Sequence, residues 1–583
     1  MSKNDFSLTW NADGIPVFKS SQYSIWPVQC MINELPIHLR SSNILLTGLW
    51  FGRTKLKMNT FLMSFVNECR KLEQGGFLFQ GESDRRKVYA LVCSSDAPAR
   101  AMLRNCKQFN GKCGCDWCEH EGVTVAPTRY YPERGDQSPR TAQGQAEYGA
   151  KAELLQEAVK GVKGISVIDI LPTFDTVHGF TPEYMHSVCQ GVIRQVCNIW
   201  LDSANHEEDF YLGRKVEALD ERLIAISPPS EITRAPRSIK ERKFWKASEW
   251  RAFMLYSLVV LHGLLPRAYL KHFFLLVHGV YTLLRDNITN DMLLHAQACL
   301  VKFAKDMERL YGLRSCTFNV HQMTHLADGV KSCGPLWATS AYIFEANNHM
   351  LLKMFSGTQY VPQQICNTFI LGQKLPVIGR QCIKEDTSPS VKHVFQKLSK
   401  GNYPTKSRRI LERNVSGLGV GKPVFLTASQ AVSLAKFIDR DVLNRSATVY
   451  NRFIVNNVLY TAESYTRSIR HHNSLVRFDH AASKYGRIIG LYTAKPDCCC
   501  SEAEIQACQC TVYTVVILKI LQCETGSLFS SAECGVTSHF LKEYTDSYTT
   551  VAIHPEQLDV KCIDLKLSNR QFLCEIPCRF YGD

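Results

Sequence analysis

The sequence predicts an α/β protein with a mixed-sheet core, a large all-α insertion that interrupts it, and a β-rich C-terminal domain. Three observations carry this. The first hundred residues read strand, strand, strand, helix, strand, helix. Between about 126 and 320, apolar residues recur at helical spacing over long stretches. Beyond about 420, short β-branched and aromatic runs alternate with turn signals. A chain of 583 residues is long enough for about three to four domains of roughly 150 residues each.

The elements follow in order. Residues 6 to 13, "FSLTWNAD", alternate apolar and polar as a half-buried strand does, ending at the turn signal Asp13-Gly14. "YSIWPVQCMINE" and "NILLTGLWFG" are two further strands, and "MNTFLMSFVNECRKLEQ" has the period of an amphipathic helix. In "RKVYALVCSSDAPARAML" an apolar, β-branched run stops before Asp96, and Pro98 suits the first turn of a new helix. The first core segment is thus expected over 1–125. The insertion spans 126–320 and includes "PEYMHSVCQGVIRQVCNIWLD", "ASEWRAFMLYSLVVLHGLL" and "DMLLHAQACLVKFAKDMERLYGL". Helices over 321–395 return to the core, a basic linker covers 396–420, and a β-rich domain covers 421–583.

Composition narrows the class. With 45% hydrophobic and 21% charged residues the chain resembles ordinary folded proteins rather than disordered or fibrous ones. Its net charge of +14 favours anionic partners such as nucleic acid, without excluding a merely basic soluble protein. The longest apolar region is broken by His262, Pro266, Arg267 and Lys271, short of the ~18 uninterrupted residues of a membrane span. "MSKNDFSLTW" contains no signal-peptide-like run, so the 24 cysteines are expected to stay reduced, as core residues, metal ligands or bystanders.

Two constellations point to metal chemistry. Asp13 and Asp96 each sit where a strand gives out, and Glu345 opens the helical stretch "FEANNHMLLKMF". Carboxylates converging from separate elements are what a pair of divalent ions needs to activate one oxygen and stabilise another, and Mg2+ prefers such oxygen ligands. Individually, an Asp before Gly is ordinarily a turn and a Glu early in a helix ordinarily favours the helix dipole. The second constellation starts from Cys115 and Cys118 in "GKCGCDWCEHEG", a thiol pair that fills half a tetrahedral zinc shell. His321 and His325 in "HQMTHL", spaced i, i+4 on one helix face, supply the other half from across the insertion. His120, His178, His186, Cys106 and Cys113 compete for the same role.

Five stretches, "LTWNADGIPVFKSSQYSIWPVQCMINELP", "SSDAPARAMLRNCKQFNGKCGCDWCEHEG", "FTPEYMHSVCQGVIRQ", "KASEWRAFMLYSLVVL" and "FNVHQMTHLADGVKSCGPLWATSAYIFEANNHMLLKMFSGTQYVPQQI", together resemble transposases of the CACTA (EnSpm) type over roughly residues 7 to 370. The resemblance implies a ribonuclease H-like DDE core that cuts transposon ends and joins them to target DNA with Mg2+ or Mn2+. Its acids would be Asp13, Asp96 and Glu345. It implies DNA as the partner, a homo-oligomer on that DNA, no membrane, and a nuclear location. The thiol and imidazole pairs are similar to the zinc site of Transib transposases and the V(D)J recombinase. Where the family has an Asp-x-Met-His motif this chain reads "EYMH". Asp96 is preferred to Glu183 as the second acid because it ends a strand, whereas Glu183 lies in a helical stretch.

Family members carry a substantial region before the first acid, and here 12 residues precede Asp13. The end-recognition region is therefore expected to be missing. Two functions follow: an active transposase or endonuclease, or a non-catalytic, host-captured nuclear DNA-binding or assembly protein. Basic stretches "RSIKERKFWK" and "KSRRILERN" are candidates for phosphate contact, with solvated linker as the alternative. The cluster "CCCSEAEIQACQC" is read as a surface loop rather than a second metal site.

Overall fold

The structure, a computed structural model, describes the chain except for residues 19–21, 55, 80, 82, 136, 399–407, 468–469, 480–482, 497–509, 525–526 and 579–583. Residues 399–407 of the expected linker and most of the cysteine cluster therefore lie outside the described residues, and the rest of the expected linker holds the strands Arg408–Glu412 and Val415–Leu418. The chain forms two compact units, Met1–Cys197 with Thr282–Gly401, and Asn198–Tyr281 with Asn402–Asp583.

The first unit is organised by a mixed sheet of β1 (Phe6–Ala12), β2 (Ser24–Ile32), β3 (Leu45–Gly52) and β4 (Val88–Cys93). Its order is β3-β2-β1-β4, with the two-residue strand Ile15–Pro16 also paired to β2. β1 and β2 are antiparallel, as are β2 and β3, whereas β1 and β4 run parallel, with Trp10 opposite Cys93. Helix α1 (Met58–Gly75) buries Leu62, Phe65, Val66 and Cys69 in one core with Leu8, Trp10, Val28 and Cys30. This is the amphipathic stripe that the sequence spacing predicts.

β1 departs from the half-buried expectation, since every residue from Ser7 to Ala12 is buried. Its polar face is covered too, and Ser7, Thr9 and the Asn11 amide nitrogen on it donate hydrogen bonds, while Asn11 Oδ1 is buried without a partner among the described residues. Ser7 Oγ donates to Glu34 at 2.7 Å, Thr9 Oγ1 to Asn33 at 2.9 Å, and Asn11 Nδ2 to the Ser94 carbonyl at 2.6 Å. Pairing of this kind offsets the cost of burying polar side chains. Beyond β4, helix α2 (Ala97–Leu103) begins at an N-cap, Asp96, with Pro98 in its first turn. Helix α3 (Tyr342–Leu351) returns to this sheet from far along the sequence.

The second unit holds a closed antiparallel barrel. Its strands are β5 (Leu475–Phe478), β6 (Lys484–Ala494), β7 (Tyr513–Cys523), β8 (Leu541–Ile553), β9 (Leu558–Leu567) and β10 (Arg570–Glu575), in the order β6-β5-β9-β10-β8-β7, with β7 paired back to β6. Closure leaves these six strands without a free edge. A four-stranded sheet of Arg408–Glu412, Val415–Leu418, Arg452–Val455 and Val458–Thr461 belongs to the same unit.

The helical stretch expected over 126–320 is divided between the two units. Helix Ala247–Leu261 is buried on nearly all sides, so it needs partners all round. One of them is β10, where Cys574 Sγ donates to the Leu255 carbonyl at 3.1 Å. Among the described residues no helix is long and apolar enough to cross a membrane.

Candidate metal centres

Parallel pairing sets up the first site. Because Trp10 lies opposite Cys93, Asp13 and Asp96, each three residues further on, leave the same sheet edge. Asp13 Oδ1 accepts the Gly14 N–H at 2.7 Å, and Asp96 Oδ1 accepts the Ala99 N–H at 2.7 Å as it caps α2. At Gly14 an added Cβ would sit 2.6 Å from the Trp26 ring, so the turn after Asp13 has no room for a side chain.

Glu345 comes to the same place in the first turn of α3. Burial, followed by the charges of Asp96 and Glu345, pushes the Asp13 carboxyl up to about 7. Burial also raises Glu345, with the His186 charge opposing and those of Glu183 and Asp96 adding. Two buried acids whose proton affinity is raised with Asp96 beside them form a site that favours a cation.

His186, weighed in the sequence only as a zinc competitor, is the fourth member of this site. It lies on a nine-residue π-helical segment, Met185–Ile193. Its Nε2 is 3.9 Å from Glu345 Oε1, and its Nδ1 is 2.7 Å from Glu183 Oε2. Burial works against its charge, but Glu183, Asp96 and Glu345 hold it up at about 9. Glu183 itself is 1% exposed. Its carboxylate accepts the N–H groups of Met185 at 2.9 Å, His186 at 2.7 Å and Ala341 at 2.8 Å. Burial raises Glu183, but His186 and those N–H donors outweigh it and hold the carboxyl below the usual range. It anchors His186 and the start of α3, and Asp96 is the acid that shares the edge with Asp13.

The second site gathers residues from both sides of the helical stretch. Among the described residues, Cys115, Cys118, His321 and His325 are the one set of three or more potential ligands whose donor atoms all lie within 4.8 Å of one another. Cys118 Sγ is 3.2 Å from His321 Nε2, Cys115 Sγ is 3.5 Å from His325 Nε2, and the two Nε2 atoms are 3.2 Å apart. A tetrahedron with Zn–S of about 2.3 Å and Zn–N of about 2.0–2.1 Å has S···N edges near ~3.5 Å and N···N edges near ~3.3 Å. The residues present therefore fit zinc.

The shared helix face is reached differently from the expectation. His321 is on helix Phe318–Gln322, and His325 ends the tighter 3₁₀ turn Met323–His325. Around the ligands, Arg140 Nε donates to the carbonyls of Cys115 at 2.9 Å and Cys118 at 3.0 Å, while its Nη2 donates to those of Cys113 at 2.9 Å and Lys160 at 2.7 Å. The Trp117 N–H points at Cys115 Sγ at 3.4 Å, and Glu133 lies 3.8 Å from His321 Nδ1, as outer-sphere carboxylates do in zinc sites. A cavity of about 680 Å3 lined in part by Trp117, His321 and His325 opens beside the cluster and offers a way in.

The competitors are otherwise engaged. His120 Nε2 bonds the Pro132 carbonyl and its Nδ1 accepts the Gly122 N–H, both at 2.9 Å. His178 pairs with Asp175 at 3.1 Å, and Cys106 Sγ donates to the Arg104 carbonyl at 3.3 Å and accepts from Gln145. Cys113 lends its carbonyl to Arg140 and is absent from the ligand set.

One buried guanidinium joins the two sites. Arg100, four residues after Asp96 on α2, forms an ion pair with Asp116 at 2.6 Å. It also donates to the Thr181 carbonyl at 2.8 Å and to Gln322 at 3.0 Å. Asp116 lies between the two thiols and Gln322 between the two imidazoles. In the basic stretch "RSIKERKFWK" two cations are paired locally, Arg237 with Glu241 and Glu249 and Lys240 with Glu217. Compared with known proteins, no family model matches this chain and no curated protein matches it, so the reading of these centres rests on their own geometry.

Proposed function

We propose that this protein is a DDE-type transposase-like nuclease, with a ribonuclease H-like first unit that cuts and rejoins DNA strands in the nucleus as a homo-oligomer. The observation that carries the reading is the sheet edge at which parallel strands β1 and β4 release Asp13 and Asp96, met by Glu345 from α3. The antiparallel trio β3-β2-β1 flanked by a parallel β4 supports the reading, because the parallel pair is what sends both aspartates off one sheet edge.

Asp13, which feels the charges of both other acids, would hold the divalent cation together with Asp96 and Glu345. Mg2+ or Mn2+ held by these oxygens would supply the activation of the attacking oxygen and the stabilisation of the leaving one. Glu183 holds the His186 ring against Glu345, keeping a positive charge at the rim of the acids. The zinc clasp and Arg100 fix the loop and helix that follow Asp96.

The test is Mg2+-dependent nicking of supercoiled and linear DNA by the purified full chain. Activity is expected to vanish in Asp13→Ala, Asp96→Ala and Glu345→Ala while zinc content and thermal stability persist. Nicking that survives all three changes would refute the assignment.

A second reading has one observation in its favour. His186 Nε2, 3.9 Å from Glu345 Oε1, already balances charge beside the acids. A non-catalytic DNA-binding or assembly protein would need no more than this. It predicts no nicking in any metal, and DNA affinity left intact or strengthened by the three alanine changes, since removing carboxylates lessens repulsion of phosphate.

A further inference from the structure

The second unit contains a cleft that neither metal centre explains. It has a volume of about 370 Å3 and is lined by Lys422, Arg452 and Arg467 together with Ser464, Tyr465 and Thr466. Three cations, two aliphatic hydroxyls and a phenol converge there, and no carboxylate is among the lining residues. Among the described residues none of the three cations is ion-paired. The Arg452 guanidinium lies 5.5 Å from the centre of the Tyr465 ring, which orients it without neutralising it.

Local backbone keeps the mouth open. The turn between strands Val415–Leu418 and Lys422–Phe425 reads Gly419-Val420-Gly421. Gly419 has φ +88°, which strains any other residue, and nothing lies within 4 Å of where its Cβ would be. In "RSIKERKFWK" two of the cations, Arg237 and Lys240, are spent on neighbouring carboxylates, whereas no carboxylate lines this cleft.

We infer that this cleft is a phosphate-binding site that grips the phosphodiester backbone of a nucleic-acid strand, in addition to the DNA held at the acid site. A cleft of this size seats one or two phosphates rather than a duplex face, and guanidinium and ammonium groups with hydroxyls are the donors that phosphate oxygens take. The identification of the ligand as nucleic acid rests on the function proposed above, but binding here needs no strand cleavage.

The experiment is fluorescence anisotropy of a labelled single-stranded oligonucleotide and of its duplex. The full chain is used in an Asp13→Asn background across a salt series, with and without Lys422→Ala/Arg452→Ala/Arg467→Ala. The triple variant is expected to keep its melting temperature and to lose about 10- to 100-fold in affinity for the single strand. Its plot of log K against log salt should be shallower by about 0.7 to 1.4, the value for one or two lost phosphate contacts on a single strand. The single variant Arg467→Glu, on an exposed side chain, should move in the same direction and covers the case in which the triple variant misfolds. Unchanged affinity and slope would overturn the site. Inorganic triphosphate competing as tightly as the oligonucleotide would overturn its assignment to a nucleic-acid strand in favour of a free polyphosphate. Nicking by the parent protein with Asp13 intact, alongside unaltered binding in the triple variant, would sink this inference and spare the nuclease, whereas lost binding in the triple variant with a parent protein that never nicks would do the reverse.

Discussion

Gln29 in the middle of β2 and Asn348 in α3, 319 residues apart, share a buried hydrogen bond of 2.6 Å from the glutamine Nε2 to the asparagine Oδ1. The neighbouring Asn347 Nδ2 returns one to Gln29 Oε1 at 2.6 Å. This amide bracket is what pins the helix bearing Glu345 onto the sheet whose strands release Asp13 and Asp96.

Removing the bracket should be expensive. Gln29→Ala leaves two buried amides with unmade bonds, each worth about 1–3 kcal/mol, so a loss of roughly 2–5 kcal/mol is expected in denaturant titrations of the first unit. Gln29→Glu tests the pairing itself, because a carboxylate can receive the Asn347 bond but cannot return one to Asn348. If α3 were held chiefly by apolar packing, both variants would melt like the parent.

The cysteine and histidine cluster should carry about one zinc per chain in elemental analysis of the purified protein. Cys115→Ser or His325→Ala should lose it, and a chelator should lower the melting temperature of the parent but not of those variants. Cys106→Ser and Cys113→Ser should retain the metal, because neither thiol belongs to the ligand set. A stable parent protein free of zinc would dismiss the clasp.

In the metal-free state the acid site gives stability a definite pH dependence. Asp13 is raised from 3.8 to about 7, mainly by burial and then by Asp96 and Glu345. A group raised in the folded state contributes stability that is complete below its unfolded value and is lost as pH climbs through the folded one. The chelated protein should therefore lose stability between about pH 4 and 7. Asp13→Asn should flatten that fall and, at pH 8, be more stable than the parent by the order of 1–4 kcal/mol, each tenfold change in proton affinity being worth about 1.4 kcal/mol. Adding Mg2+ should stabilise the parent and not the variant. Identical pH profiles in chelator would show that Asp13 is not under this repulsion.

How much was legible in the sequence follows from how far each residue's partner lies. Asp13, Asp96 and the two halves of the zinc set announce themselves locally, by a strand that stops, a proline in a first turn, and thiols or imidazoles at ligand spacing. Gln29, Arg100, Arg140 and Glu183 carry no such mark, because each derives its role from atoms that only the fold brings near. Gln29 in "WPVQCM" looks like any polar residue in a strand, and Glu183 in "EYMH" was weighed as a ligand when its neighbours make it an anchor. The course of the helical stretch was hidden for a related reason. "ASEWRAFMLYSLVVL" declares that it will be buried all round, but its apolar side chains do not say against which sheet.

Arg100 offers the sharpest test of whether the two centres are mechanically joined. Its guanidinium is buried and meets Asp116 from the thiol loop, Gln322 from the imidazole turn and the Thr181 carbonyl that leads to Glu183. Removing one partner from such a buried pair strands the other charge and typically costs about 3–5 kcal/mol. Arg100→Ala should therefore destabilise the first unit by that order, and Arg100→Ala/Asp116→Asn should recover part of the loss. Arg100→Lys keeps the charge but not the planar fork, so it cannot reach three acceptors at once. It should retain its zinc and most of its stability while nicking falls at least tenfold, because α2 and its Asp96 cap would lose their fixed position relative to Thr181 and the His186 segment. Were Arg100 only a core filler, nicking per folded molecule in Arg100→Lys would match the parent at every Mg2+ concentration.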